Sequence, residues 1–406
     1  MKRFWITQFS IKFYALFILI SLLGNLIINY NSLCVYTVIC ILFYISTFVI
    51  GTICGEGLQV VKFGKLHISP DKLTRNLLYL SIIAVLLGWF YLIRYYGDLS
   101  SIFLHAFDIR EETIGDGIQI VPIFITYPGS LVYSAFAITI ALYHYKRERK
   151  LLYRAILLGI VIVLTDLQAF GRIGILFGIF MIGAYCILFI KKIKFRKLFI
   201  PSSFLLLILM LPRWIRGGSS FEGIGDRYSK FTTFVVPEML APFLSIFAYY
   251  FSGIYALNEL LIKDVAEYAY GQRNFASIIN FLSRILSDGS TQNRIVIIGD
   301  FVYVPFDTNI FTIIGELYMD FGLLGILTVP FFFGIVIGYL FKYKGIYADS
   351  IKIILLAWLF YTPIYNAFSF GGFLISFLFT AFLVLGTDSN LPINSKNDGF
   401  YCNSKL

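Results

Sequence analysis

Charge is what this chain has least of. Asp, Glu, Lys and Arg make up 14% of it, where an ordinary soluble domain carries roughly a quarter. With 59% hydrophobic residues, that shortage excludes the two or three soluble domains that 406 residues would otherwise suggest. Cysteine is also sparse, at 5, and Cys34, Cys40, Cys54, Cys186 and Cys402 fall in apolar runs or the C-terminal tail. That placement excludes a disulfide framework and a CxxC metal pattern. His105 is the lone histidine of the two long connections read as outward, about 97–118 and 213–320, and no inverted repeat of the transporter kind is present.

What the chain has instead is long apolar runs, several of them reaching the ~20 residues that cross a bilayer core. Ten can be read in order: Ile11–Tyr30, Leu33–Cys54, Leu77–Tyr96, Gln119–His144, Leu151–Leu167, Ile173–Ile190, Leu198–Leu211, Phe321–Phe341, Ile351–Phe368 and Gly371–Leu385. In lipid a backbone must satisfy its own hydrogen bonds, so all ten are expected to be helices. The first run is polar at its end (Asn25 to Asn29) and lacks a small-residue cleavage site, so it reads as a retained helix.

Lys and Arg in short loops stay cytoplasmic. Of the 33, 22 fall in connections that alternate with the spans as that rule requires, which places both termini inside. The net charge of +10 therefore reports topology and attraction to anionic lipid, not nucleic-acid binding. On this map spans one to seven occupy 1–212. A large extracytoplasmic loop covers 213–320, spans eight to ten cover 321–387, and a cytoplasmic tail covers 388–406. The segment Ala241–Ile262 is apolar enough to span, but spanning would put Lys342 and Lys344 outside. It is therefore expected to lie in the interface or to re-enter from outside.

Nine of the eleven outer cations are Arg: Arg94, Arg110, Arg172, Arg213, Arg216, Arg227, Arg273, Arg284 and Arg294. Arg binds phosphate or carboxylate through a planar fork that Lys lacks, so the outer face looks built to hold anions. Ordinary pairing with the outer acids is the alternative for any one of them. Arg172 stands apart, because it opens a span behind Gly171, and an ionisable residue near membrane depth is a functional candidate by default. A pair with Asp166 across the intervening turn is its competing explanation. Arg213 and Arg216 can equally snorkel to lipid phosphate. Among the acids, Glu316 and Asp320 stand four apart and share a face if the stretch is helical. They can act on a hydroxyl as a general base, or simply cap a helix. Asp320-Phe321-Gly322 is no kinase motif, since no glycine-rich loop accompanies it.

At these residues the chain resembles the O-antigen and oligosaccharide repeat-unit polymerases of the Wzy type. The resemblance rests on Asn309-x-x-Thr312, on Tyr318-x-Asp320-Phe321-Gly322-x-x-Gly325 leading into a span, on Gly171-Arg172-x-Gly174, and on Tyr249-Tyr250-Phe251-Ser252-Gly253. It implies an all-α polytopic membrane protein of about ten transmembrane helices, GT-C-like, with the large loop between spans seven and eight. The implied activity is a metal-independent glycosyltransferase without cofactor in a bacterial inner membrane. It would move a glycan from a polyprenyl-diphosphate carrier to a new lipid-linked repeat unit at the outer face. Arg172, Arg110 and Arg216 would take the diphosphate, Glu316 or Asp320 would activate the acceptor hydroxyl, and Tyr249, Tyr250 and Asn309 would line the glycan path. A chain-length regulator and a flippase are the implied protein partners. A glycan ligase, a lipid-linked glycan flippase and a lipid-binding scaffold remain the alternatives.

Overall fold

The computed structural model describes residues 5–28, 30, 32–60, 66–106, 108–109, 120–190, 250–263, 268–279, 302–304 and 310–387, with scattered positions in 207–248 and at 282, 307 and 308. They form an all-α membrane protein. In order come α1 (Trp5–Leu23), α2 (Val35–Gly57), α3 (Pro70–Tyr96), α4 (Leu99–Leu104), α5 (Ile123–Ser130) and α6 (Val132–Lys146). There follow α7 (Arg149–Leu167), α8 (Ile173–Phe189), α9 (Gly253–Lys263), α10 (Thr312–Leu340), α11 (Ile346–Tyr361) and α12 (Gly371–Gly386). A two-residue antiparallel ladder joins β1 (Val302–Tyr303) to β2 (Asp307–Thr308).

Among the described residues, five helices are long and apolar enough to cross a membrane: α1, α2, α3, the α5–α6 pair over Phe124–Lys146, and α10. Two more, α8 and α12, are apolar but only 17 and 16 residues long. The expected seventh span, Leu198–Leu211, lies largely outside the described residues, as does the 388–406 tail. Several boundaries differ from the apolar runs. The first helix runs from Trp5, whose ring stacks on Phe9, and gives way to a 3₁₀ turn at Gly24. The third begins at Pro70, with fixed φ suited to a first turn, so Asp71 and Lys72 are helical too. The ninth stops at Tyr361 rather than Phe368, because Pro363 cannot continue it.

The burial pattern is that of a protein in lipid. Large apolar side chains such as Leu19, Leu42, Ile83, Leu86 and Phe90 face outward, while Thr7, Ser10, Thr37, Thr52 and Ser81 are buried. Several inward hydroxyls pair with one another or with the backbone, as Thr7 does with Thr52 at 2.9 Å and Ser10 with the Ile6 carbonyl at 2.9 Å. The central helix is α11, with Ile351, Ile353, Ile354, Leu356, Ala357 and Trp358 fully enclosed.

Helices α2 and α10 touch backbone to backbone. A Cβ on Gly51 or Gly55 would sit 2.1 Å from the Phe331 or Ile335 carbonyl oxygen. A Cβ on Gly334 or Gly338 would lie 2.4 or 2.2 Å from the Phe48 or Thr52 carbonyl oxygen. Two reciprocal Gly-xxx-Gly pairs thus let the axes close, the packing that membrane helices use where no hydrophobic force separates them from lipid.

Polar contacts gather at the two ends of the bundle. At one end Lys352 Nζ donates to the Tyr343 carbonyl (2.8 Å) and to Asp349 (3.0 Å), and the Tyr145 hydroxyl donates to the same carboxylate. There too Arg154 donates to Asp71 at 2.9 Å and Thr74 at 2.6 Å, tying α7 to α3. The described part of Ala241–Ile262 includes α9, whose 11 residues extend about 16 Å, roughly half the hydrocarbon thickness. Helix α9 is pinned by Asn258, which accepts from Cys34 N at 2.7 Å and Thr37 Oγ1 at 2.8 Å. Tyr255 stacks on Tyr30 at 4.1 Å.

Candidate functional site

The other end of the bundle holds the candidate site, and a break in α10 creates it. Gly322 has φ 61° and ψ −149°, a conformation that is nearly glycine-only. It divides the helix into a short limb, 312–321, and a long one, 323–340. A helix that stops leaves its last carbonyls without partners. Here they are taken by a neighbouring segment: Ala269 N–H donates to the Met319 carbonyl (2.9 Å) and Tyr270 N–H to the Asp320 carbonyl (3.0 Å). The segment then turns through Tyr270 (φ 47°) and Gly271 (φ 89°) into a helical turn at 275–279.

Asp320 fixes that turn. The residue is fully buried, and its carboxylate accepts from Arg273 N (3.1 Å), Asn274 N (2.8 Å) and Asn274 Nδ2 (2.8 Å). A carboxylate at the start of a helical turn is a favourable placement, since the N–H groups there lack internal partners. The network continues inward. Asn274 Oδ1 accepts from Asn366 Nδ2 at 3.1 Å, and Asn366 Oδ1 accepts from Trp358 Nε1 at 3.0 Å. Ser277 donates to the Phe368 and Ser369 carbonyls beyond the end of α11.

One helical turn before Asp320, Glu316 faces the Arg273 guanidinium at 3.7 Å, and each side chain is 10% exposed. The two carboxylates that stand four apart therefore both meet residue 273. Asp320 holds its backbone and Glu316 pairs with its side chain. Taking an ion pair this deep is costly unless geometry and neighbours compensate, and here the Asp320 anchor fixes the geometry. Gly322 is needed for the same arrangement, because a Cβ there would lie 2.9 Å from the Tyr268 hydroxyl. Gly322→Ala is expected to cost about 2–3 kcal/mol through this backbone conformation alone. A lowered melting temperature in detergent, with faster hydrogen exchange at 268–279, would register it; an unchanged melt would refute the assignment.

Arg172 lies at the same end, as the N-cap of α8, half-buried, with φ −139°. Asp166 accepts from Ile175 N at 2.7 Å and so caps α8. Gly174 allows a close approach, since a Cβ there would lie 2.0 Å from the Tyr133 hydroxyl and 2.7 Å from Asp166. From Tyr133 the contacts run to Glu316 and Asp320 through the start of α12. Gly372 abuts Ser130 and Tyr133, and Gly371 abuts Tyr127 and Ser277. Ser376 donates to the Ser130 carbonyl at 2.6 Å, closing α12 on α5. Beside the Arg172 turn, Phe170 packs with Leu92, Ile102, Ala106 and Ile109, so α4 and its flanks cover this turn.

Tyr250 is placed in the helix packing. Its hydroxyl donates to the Phe360 carbonyl at 2.9 Å, and its ring meets Phe17, Phe180 and Phe251. Arg110, Arg216, Tyr249 and Asn309 lie outside the described residues. Sequence reasoning counted Arg273 only among the outer arginines, and it did not select Asn274, Ser277, Asn366 or Trp358. An Asn inside the ninth apolar run was the available signal for Asn366. Among the described residues no group of His, Cys, Asp and Glu is arranged to hold a metal ion. Comparison with family models, with curated proteins and with solved structures finds no match.

Proposed function

We propose that this chain polymerises lipid-linked oligosaccharide repeat units, with polyprenyl diphosphate as the leaving group, at the outer face of a bacterial inner membrane. The observation that carries the reading is the Glu316–Arg273 pair, anchored through Asp320 at the bundle end that also bears Arg172. A carboxylate and guanidinium groups at one membrane surface are what transfer from a diphosphate carrier requires. In the reaction the acceptor hydroxyl oxygen attacks the anomeric carbon of the donor glycan. The carbon–oxygen bond to the diphosphate breaks, and its electron pair leaves on the diphosphate. Glu316 takes the hydroxyl proton, and arginines stabilise the charge that grows on the leaving group. Asp320 acts here as a positioning residue, since three N–H donors already occupy its carboxylate. A GT-C-like plan of about ten spans, with both termini cytoplasmic, belongs to the same proposal. It adds α7, α8, α11, α12 and the 198–211 run to the five long helices.

Glycan length in cells carrying Arg172→Ala or Arg172→Lys tests the reading, with membrane abundance checked in parallel. Both variants are expected to lose long chains while single capped repeats remain, Ala by about 10²-fold or more, as for loss of a charge-stabilising donor. Unchanged lengths would remove Arg172 from the site. Loss of even single repeats would point to a ligase or a flippase.

A further inference from the structure

The Glu316–Arg273 pair has a feature that a permanent structural bridge would not need. At 3.7 Å it is longer than the 2.7–2.9 Å of a charge-assisted hydrogen bond. Arg273 does not depend on Glu316 for its position, because its backbone N–H is held by Asp320 at 3.1 Å and its neighbour Asn274 by two more bonds. The backbone that carries the guanidinium is therefore anchored independently of Glu316, which is its paired carboxylate among the described residues. Its side chain keeps a tenth of its surface open. Carboxylate and phosphate oxygens compete for the same planar fork, and a diphosphate brings more charge and more acceptors than one carboxylate.

Resting on the function proposed above, we propose that Glu316 is a placeholder anion. It occupies Arg273 in the empty protein, yields the guanidinium to the diphosphate of the lipid-linked donor, and becomes available to accept a proton only then. Donor binding would thus switch on the base, and an acceptor hydroxyl arriving first would meet a carboxylate still engaged with Arg273. The recognised chemistry is a diphosphate ester, with no requirement on the sugar.

The test uses the full chain in detergent, with farnesyl diphosphate as the probe and inorganic pyrophosphate as a second arm that separates the anion from its lipid. If the pair is closed about nine-tenths of the time, releasing Arg273 raises apparent affinity about tenfold. Glu316→Gln and Glu316→Ala are both expected to bind farnesyl diphosphate about tenfold more tightly than the unaltered chain, and Arg273→Ala to lose that binding. Melting curves identify a variant that fails to fold, in which case the other Glu316 variant decides. Equal or weaker binding by the folded Glu316 variants overturns the placeholder role, as does absence of binding to every form. A gain seen with both probes assigns recognition to the diphosphate itself, and a gain with farnesyl diphosphate alone assigns it to the lipid-linked form. Should binding tighten while folded Arg273→Ala and Glu316→Ala chains leave glycan length unchanged in cells, the anion exchange stands and the polymerase reading falls.

Discussion

Asp320→Ala is expected to abolish long glycan chains while leaving the protein in the membrane. The substitution removes one carboxylate and strands three N–H donors, those of Arg273 N, Asn274 N and Asn274 Nδ2. A hydrogen bond to a charged group contributes about 1.5–3 kcal/mol, and three sharing one carboxylate do not add fully. About 3–5 kcal/mol of docking energy should be lost from the 268–279 segment, enough to release it from the short limb of α10. Arg273 would then no longer face Glu316, and the proposed acid–base contribution of about 10²–10⁴ in rate would go with it. Asp320→Asn should be milder, because its amide oxygen can still take the two Asn274 donors while its NH2 faces the Arg273 N–H. Limited proteolysis across 268–279, read beside glycan length and membrane abundance, separates the possible results. Cleavage within the segment with short chains supports the anchor. Long chains with a protected segment would show that Asp320 holds nothing that matters.

The second large effect concerns the fold itself. Gly51→Val and Gly338→Val should each prevent α2 and α10 from meeting, since both place a Cβ within about 2.1–2.2 Å of a facing carbonyl oxygen. No rotamer change moves a Cβ or a carbonyl, so the helices must separate along their contact. Overpacking usually costs about 1–3 kcal/mol, and a backbone clash of this kind belongs at or above the upper end. Helix α1 contacts α2, and the short limb of α10 carries Glu316 and Asp320, so the separation would reach the site. Gly159→Ala is the matched control: that glycine is helical in α7 with nothing within 4 Å of its would-be Cβ. Loss of monodisperse protein after detergent extraction in the two Val variants, with Gly159→Ala unaffected, is the expected result. Normal extraction of Gly338→Val would mean that the two helices do not approach this closely in the membrane.

Apolar run length is a local property of the chain, and it made membrane embedding and the main helices legible. The helix ends that differed were set by single residues acting on their own turns. Pro70 starts α3 earlier than hydropathy indicates, and Pro363 stops α11 sooner. The four-residue spacing of Glu316 and Asp320 was likewise readable, because it needs only a helix. The division of labour between them was not, because it depends on a segment more than forty positions earlier that supplies Arg273 and Asn274. Tyr250 illustrates the opposite case, in which an aromatic in a suggestive motif lies against Phe17, Phe180 and Phe251 once the helices pack.

By itself, then, the sequence determined that this chain lives among lipids, which stretches are helical, and where arginines and carboxylates concentrate. Those facts follow from transfer energies and backbone hydrogen bonding, which act residue by residue along the chain. Only the tertiary structure decided that Gly322 breaks α10, that the freed carbonyls capture 268–279, and that Asp320 anchors while Glu316 confronts a guanidinium. Such choices depend on which distant donors reach a buried acceptor, and that is settled by packing rather than by any local pattern.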